Sequence, residues 1–142
     1  MKITATRYHD ISVGHTVLGH EGKCKNLHGH NYRVWFHCRP ANNRFLDDVG
    51  RVLDFSVIKS KLCMWLEDNW DHKFLVYAKD PRVIVLVNLD PTVIVVPFNP
   101  TAENLAGHLL KIVCPAQLQG TQVEVVKVDI EETAKCHAAA EL

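Results

Sequence analysis

Nothing in this 142-residue chain approaches the run of about 18 apolar residues that a membrane-spanning helix needs. Its start lacks a Lys- or Arg-led apolar segment, so neither a signal peptide nor a membrane partner is expected. Net charge is missing too. Sixteen Lys plus Arg balance sixteen Asp plus Glu, which leaves no global field to attract nucleic acid or an acidic membrane. The five cysteines (Cys24, Cys38, Cys63, Cys114, Cys136) are odd in number, irregularly spaced and form no Cys-x-x-Cys pair. That pattern predicts free thiols in a reducing cytoplasm. Internal repeats, low-complexity tracts and linkers are also absent, and the length suits one domain with a core that needs no staples.

What the chain does have is Cys24-Lys25-Asn26-Leu27-His28-Gly29-His30-Asn31-Tyr32. On an extended backbone His28 and His30 project from one side, followed in the same parity by Tyr32, Val34, Phe36 and Cys38. Asn31, Arg33, Trp35, His37 and Arg39 point the other way. The two imidazoles thus share the apolar side, where an unpaired polar group costs about 1–3 kcal/mol, and a metal ion satisfies both. Residues 2–17 read as a preceding strand in which Ile3, Ala5, Ile11, Val13, His15 and Val17 share one parity. Paired strands lie about 4.8 Å apart, close enough for His15 to join His28 and His30 on one zinc at about 2.0–2.1 Å. His20 is a rival ligand in the Leu18–Gly22 turn, and His9 stands roughly 20 Å back along the strand. Three imidazoles leave a coordination position for water or substrate, as catalytic zinc does. Cys24 is either the fourth ligand of a closed site or a free nucleophile or base.

Farther on, Pro40–Asn43 reads as a turn and Arg51–Leu53 as a short strand leading to Asp54, a helix N-cap. Phe55, Ile58, Leu62, Trp65 and Leu66 predict a helix over 55–68, which delivers Asp71-His72 at its end. An Asp beside a His is either a proton-transfer unit or a surface pair. Residues 73–98 are ambiguous: Val83–Val87 has strand propensity, Asp80-Pro81 starts helices, and Thr92–Val96 reads as a strand. Asn99-Pro100 supplies a cap and first-turn proline for a helix that ends before Pro115, with Glu103 as a first-turn charge. In the last strand, about 121–132, Val126, Val128, Ile130 and Glu132 share a face, whereas Lys127, Asp129 and Glu131 share the solvated one. Glu132 is therefore either past the strand's end or an inward carboxylate suited to a ligand's paired N–H groups.

Taken jointly, seven pieces carry a resemblance: Ile11–His15, Gly19–Cys24, Leu27–Tyr32, Val52–Phe55, Asp71-His72, Asn99–Leu105 and Glu132-Thr133. In this order, over nearly the whole chain, they resemble the 6-pyruvoyltetrahydropterin synthase / 6-carboxytetrahydropterin synthase family, and the Cys-x-x-x-His-Gly-His spacing resembles its carboxy-type, queuosine-pathway branch. The resemblance implies an α+β tunnelling fold: a four-stranded antiparallel sheet with two main helices on one face, assembling into barrel-like homo-oligomers (hexamer or tetramer) with sites at subunit interfaces. It implies zinc on His15, His28 and His30, catalysis by Cys24, Asp71 and His72, and a pterin held by Glu132 with Glu103 and Thr101. The implied substrate is a pterin triphosphate, for which Lys23, Lys25 and Arg7 are candidate cations. Ile11, Val13 and Gly14 depart from the family's usual Phe, Ala and Ala, and the 135–139 tail lacks its customary aromatic.

Overall fold

The computed structural model describes residues 1–142. Two long strands, β1 (Ala5–His15) and β2 (His28–Pro40), pair antiparallel from Ala5↔Cys38 to His15↔His28. Their alternation matches the sequence reading: Ile11, Val13 and His15, with Tyr32, Val34, Phe36 and Cys38, are buried on one face.

The first main helix, α1, is built from Phe55–Ile58, a π-turn over Lys59–Cys63, and Met64–Asn69. Asp54 caps it by accepting from the Ser56 amide, while Arg51–Leu53 forms no strand. Next come β3 (Lys73–Tyr77), α2 (Val83–Leu89) and β4 (Ile94–Val96). The β-branched run at 83–87 is thus helical. Asp80 settles the matter locally: its carboxylate accepts from the Arg82 amide at 2.9 Å and its carbonyl from the Val83 amide at 3.1 Å, which starts a helical turn.

The second main helix, α3, runs through Ala102–His108, a π-turn over Leu109–Val113, and Cys114–Gln117. Thr101, not Asn99, is its N-cap, and the helix continues past Pro115. The preceding π-turn, in which the Cys114 amide bonds Leu109, loosens the ladder where proline has no N–H to give.

The expected four-stranded antiparallel sheet is instead six-stranded and mixed, in the order β4-β3-β1-β2-β5-β6. Both β3 and β4 pair in parallel, and β5 (Val123–Thr133) and β6 (Cys136–Glu141) complete the antiparallel side. The 135–139 tail is therefore largely strand β6, whose Ala138 and Ala140 pack against the core. A bulge opposite His37/Cys38 also resets the β5 parity, so Val125 rather than Val126 joins Val128 and Ile130 inside. Both main helices bury their apolar stripes (Ile58, Leu62 and Leu66; Leu105, Leu109 and Val113) on the same sheet face in one cluster of 25 buried residues. No helix is long and apolar enough to cross a membrane.

All five cysteines are free. Burial pushes the Cys38 thiol up to about 12 and the Cys114 thiol higher still, so neither is a thiolate. Cys24 is half-buried, at the mouth of the strand pair.

Candidate active site

The β1–β2 register places His15 directly opposite His28 and Val13 opposite His30. Between these pairs Gly14 faces Gly29, and the crowding there explains both glycines: a Cβ on Gly29 would sit 3.0 Å from the Val13 carbonyl oxygen, and one on Gly14 would sit 2.6 Å from the Phe74 ring. The potential ligand atoms of His15, His28 and His30 consequently lie within 4.8 Å of one another.

Hydrogen bonds outside this group fix the tautomers. The His15 Nδ1–H donates to the Pro100 carbonyl at 2.6 Å, and the His28 Nδ1–H donates to the Asn26 carbonyl at 2.7 Å. Each Nε2 is left with a lone pair, and the two stand 3.1 Å apart. Two lone pairs at that distance repel unless a cation lies between or beside them. The third nitrogen, His30 Nε2, is buried without a hydrogen-bond partner and lies 3.5 Å from a Glu132 carboxylate oxygen. Burial keeps His15 and His30 below the ordinary histidine range, hence neutral and able to ligate. The residues present fit a zinc ion of the open, three-imidazole type, with main-chain carbonyls orienting two of its ligands.

The rival histidines lie elsewhere. His20 Nδ1 accepts from the Gly22 amide at 2.8 Å, and His9 pairs with Glu67 of α1 at 2.6 Å. Cys24 occupies a short 3₁₀ turn, Lys23–Lys25, just before β2 and is not a member of the close ligand group. Lys23 and Lys25 are exposed beside it. Arg7, by contrast, lies about 26 Å along β1 from His15, where it donates to the Phe55 carbonyl at 3.3 Å.

Asp71 and His72 lie at the β1 edge. Asp71 accepts from the Ser12 amide at 2.9 Å and from His72 Nδ1–H at 2.7 Å. Burial pushes its carboxyl up, but these hydrogen bonds outweigh burial and hold it below the usual carboxylate range. His72 adopts a left-handed backbone with φ of 60°, and its amide donates to the Ser12 carbonyl at 2.7 Å. Its ring is 80% exposed and lines a cleft with Ser12, Gly14, Asn31 and Phe74. The same cleft takes in Val13, Gly29 and His30. By strand parity Ser12 and Asn31 face it with their side chains, whereas the His30 ring turns to the opposite sheet face with Val13 and His15. Within one chain no hydrogen bond joins Asp71-His72 to the three histidines.

Glu131 and Glu132 diverge as adjacent strand residues do: Glu131 lines an adjoining cleft with Asp10, Arg33 and His72, whereas Glu132 approaches His30. Thr101 caps α3 by accepting from the Asn104 amide at 3.2 Å, and Glu103 is exposed in the first turn. Sequence reasoning missed three participants. Pro100 and Asn26 act through carbonyls, which no side-chain pattern reveals. Asn99, read as a cap, instead clasps the Leu18 backbone through both amide atoms, at 2.9 and 2.8 Å. Its position right after a predicted strand was the available signal.

Comparisons with known proteins bear on the family and the fold. The chain is 31% identical over 136 residues to the 6-carboxy-5,6,7,8-tetrahydropterin synthase of Rickettsia bellii, covering 94% of this chain and 96% of that protein. It is 32% identical over 124 residues to a probable enzyme of the same name from Halobacterium salinarum, covering 87% and 76%. Among solved structures, an uncharacterized protein from Wolinella succinogenes superposes with a TM-score of 0.85 at 22% identity, covering 99% of this chain and 98% of that one. The Caenorhabditis elegans 6-pyruvoyl tetrahydropterin synthase gives 0.67 at 22% identity, covering 100% and 96%. At that identity the structural likenesses show a shared α+β fold. The family model for 6-pyruvoyl tetrahydropterin synthase matches residues 4–141, nearly the whole chain, and the chain belongs to that family.

Proposed function

We propose that this protein is a zinc-dependent lyase that converts 7,8-dihydroneopterin triphosphate to 6-carboxy-5,6,7,8-tetrahydropterin, releasing acetaldehyde and triphosphate, as a step toward 7-deazaguanine (queuosine-type) bases. The observation that carries the reading is the cluster of three imidazole nitrogens, two with lone pairs forced to face each other and one buried without a partner. His15, His28 and His30 would hold the ion, and zinc there would supply a Lewis acid for a substrate hydroxyl and for the negative charge left by proton removal.

The protein groups have distinct tasks. Cys24 removes a proton from the substrate side chain, with the exposed Lys23 and Lys25 on either side of it. His72, held through Nδ1 by Asp71, carries a proton on the other side of the substrate. Glu132 receives the pterin's N–H edge, and Thr101 and Glu103 complete the binding set. Because Asp71-His72 opens on the opposite sheet face, a complete site needs His72 from a second copy. This supports a homo-oligomer, a hexamer or tetramer, with the sheets forming a barrel. Five free thiols suit the cytoplasm.

The test is to incubate zinc-loaded protein with 7,8-dihydroneopterin triphosphate and identify the products. Equal yields of 6-carboxytetrahydropterin and acetaldehyde are expected. A 6-pyruvoyl product without acetaldehyde assigns the pyruvoyl-type reaction instead, and no pterin product at all overturns the enzymatic reading.

A further inference from the structure

The loop that joins the two histidine-bearing strands, residues 16–27, carries Cys24, yet none of the residues in its Lys23–Lys25 turn is buried. Something other than apolar packing must hold it. We infer that Arg82, braced by Asp80, is a positioning residue that fixes the Cys24 loop against the end of β1. Its guanidinium makes one bond to each side of that junction: Nη1–H donates to the Lys25 carbonyl at 2.9 Å, and Nη2–H donates to the Thr16 hydroxyl at 2.7 Å. The Thr16 hydroxyl in turn donates to the Lys25 carbonyl at 2.7 Å, closing a three-membered ring of hydrogen bonds. Next to it the Val17 amide donates to the Cys24 carbonyl at 2.9 Å.

The geometry ties the residue after His15 to the residue after Cys24 through one planar fork. A guanidinium can do this and an ammonium cannot, because only the fork presents several donors at fixed angles. The fork is itself fixed. Asp80 is 1% exposed, and its carboxylate accepts Arg82 Nε–H at 3.0 Å, Nη2–H at 2.8 Å and the Arg82 amide at 2.9 Å. A buried carboxylate so committed does not release its partner cheaply. Thr16, at 0% exposure, has no water to turn to. The same turn leads into Asn26, whose carbonyl orients His28, so the clamp sets the thiol and a metal-site imidazole in one frame. Arg82 stands outside the metal site and touches neither the three histidines nor the cleft at His72. Its contribution is to hold the distance between Cys24 and the metal-site strand end.

This inference rests on the role proposed for Cys24, and the test separates the two. The rate of iodoacetamide alkylation at Cys24 is read by mass spectrometry on zinc-loaded wild-type, Arg82→Ala and Arg82→Lys proteins, alongside zinc content and kcat and KM for 7,8-dihydroneopterin triphosphate. In Arg82→Ala, Cys24 should alkylate at least tenfold faster and kcat should fall at least 30-fold, with KM within twofold and about one zinc per chain retained. Arg82→Lys keeps a charge beside Asp80 but loses the planar fork, so it should lie between: alkylation at least threefold faster and kcat partly restored. If Arg82→Ala leaves Asp80 so exposed to unpaired burial that it does not fold, Arg82→Lys decides alone by the same threefold criterion. Alkylation and kcat within twofold of wild type in the folded variants, even with a lowered Tm, would make Arg82 a structural residue and overturn the inference. Alkylation needs no substrate. A wild-type protein that turns over no pterin therefore sinks the proposed reaction, and the labelling still decides the clamp.

Discussion

At His15 and His28 one ring nitrogen of each imidazole is locked to a main-chain carbonyl and the other is aimed into a shared centre, whereas His72 stands 80% exposed with a single carboxylate to steer it. The first region is buried in the sheet's core face and prepared before any ligand arrives. The second sits on a left-handed turn at the β1 edge, on the other face, where only Asp71 restrains it. A metal site gains from rigid, desolvated donors. A proton carrier, the role proposed for His72, works from an exposed position that a substrate can reach. On that proposal a single copy holds two half-sites, not one site.

The largest effect should come from removing an imidazole of the three-histidine cluster. His28→Ala or His30→Ala should lose both zinc, measured by metal analysis of purified protein, and activity, while His20→Ala keeps both. Zinc retention in His28→Ala would break the account of the metal region. Next, Cys24→Ala and His72→Ala should each lower kcat by about 10²–10⁴-fold, the usual worth of a proton-transfer group. Mixing the two variants after dissociation and reassembly should restore activity, because about a quarter of randomly paired sites then carry both intact groups. A mixture no more active than its components would mean that each site uses one chain only.

A smaller effect separates two neighbours. Glu132→Gln should weaken binding of a pterin analogue, followed by direct titration, about 30-fold, the size expected when one partner of a desolvated charged pair is lost. Glu131→Gln, on the cleft face, should change that affinity less than twofold. The smallest effect concerns pH. Asp71's carboxyl is held below its usual 3.8, so the ionised form stabilises the fold above that value, and the stabilisation fades as the pH falls through the lower folded-state value. The Tm gap between wild type and Asp71→Asn should therefore be open at pH 7 and narrow below pH 3.8. A gap constant down to pH 2 would show that Asp71's charge plays no part.

These regions also differ in how readable they were. The convergence of His15, His28 and His30 follows from alternation in two long strands, each with a clean apolar parity, and a two-residue rhythm transmits position faithfully over a dozen residues. Val126 misled because a single bulge shifts parity without any mark in composition. Strand β6 was invisible since Cys136–Glu141 has almost no β-branched or aromatic residue, and it becomes a strand by pairing with β5. The helix at Val83–Leu89 went the other way, its strand propensity overruled by the turn that Asp80 and Arg82 build. That His72 faces away from the metal region could not be read from Asp-His, because a left-handed φ at one residue redirects the side chain.

The π-turns in the two main helices, Lys59–Cys63 and Leu109–Val113, have a consequence for how this chain tolerates changes of length. Each turn accommodates one residue beyond what a regular helix would hold there, so deleting the exposed Lys61 or Lys111 lets the ladder close into an ordinary α-helix. The five residues of a π-turn sweep nearly the same angle as four of an α-turn, so the segments on either side keep their faces. In α3, Cys114 and Leu118, now 1% and 3% exposed, stay on the core face after such a deletion. A one-residue deletion elsewhere in either helix has no extra residue to absorb it and rotates everything beyond it by about 100°. The two π-turns are therefore the places where the main helices tolerate shortening.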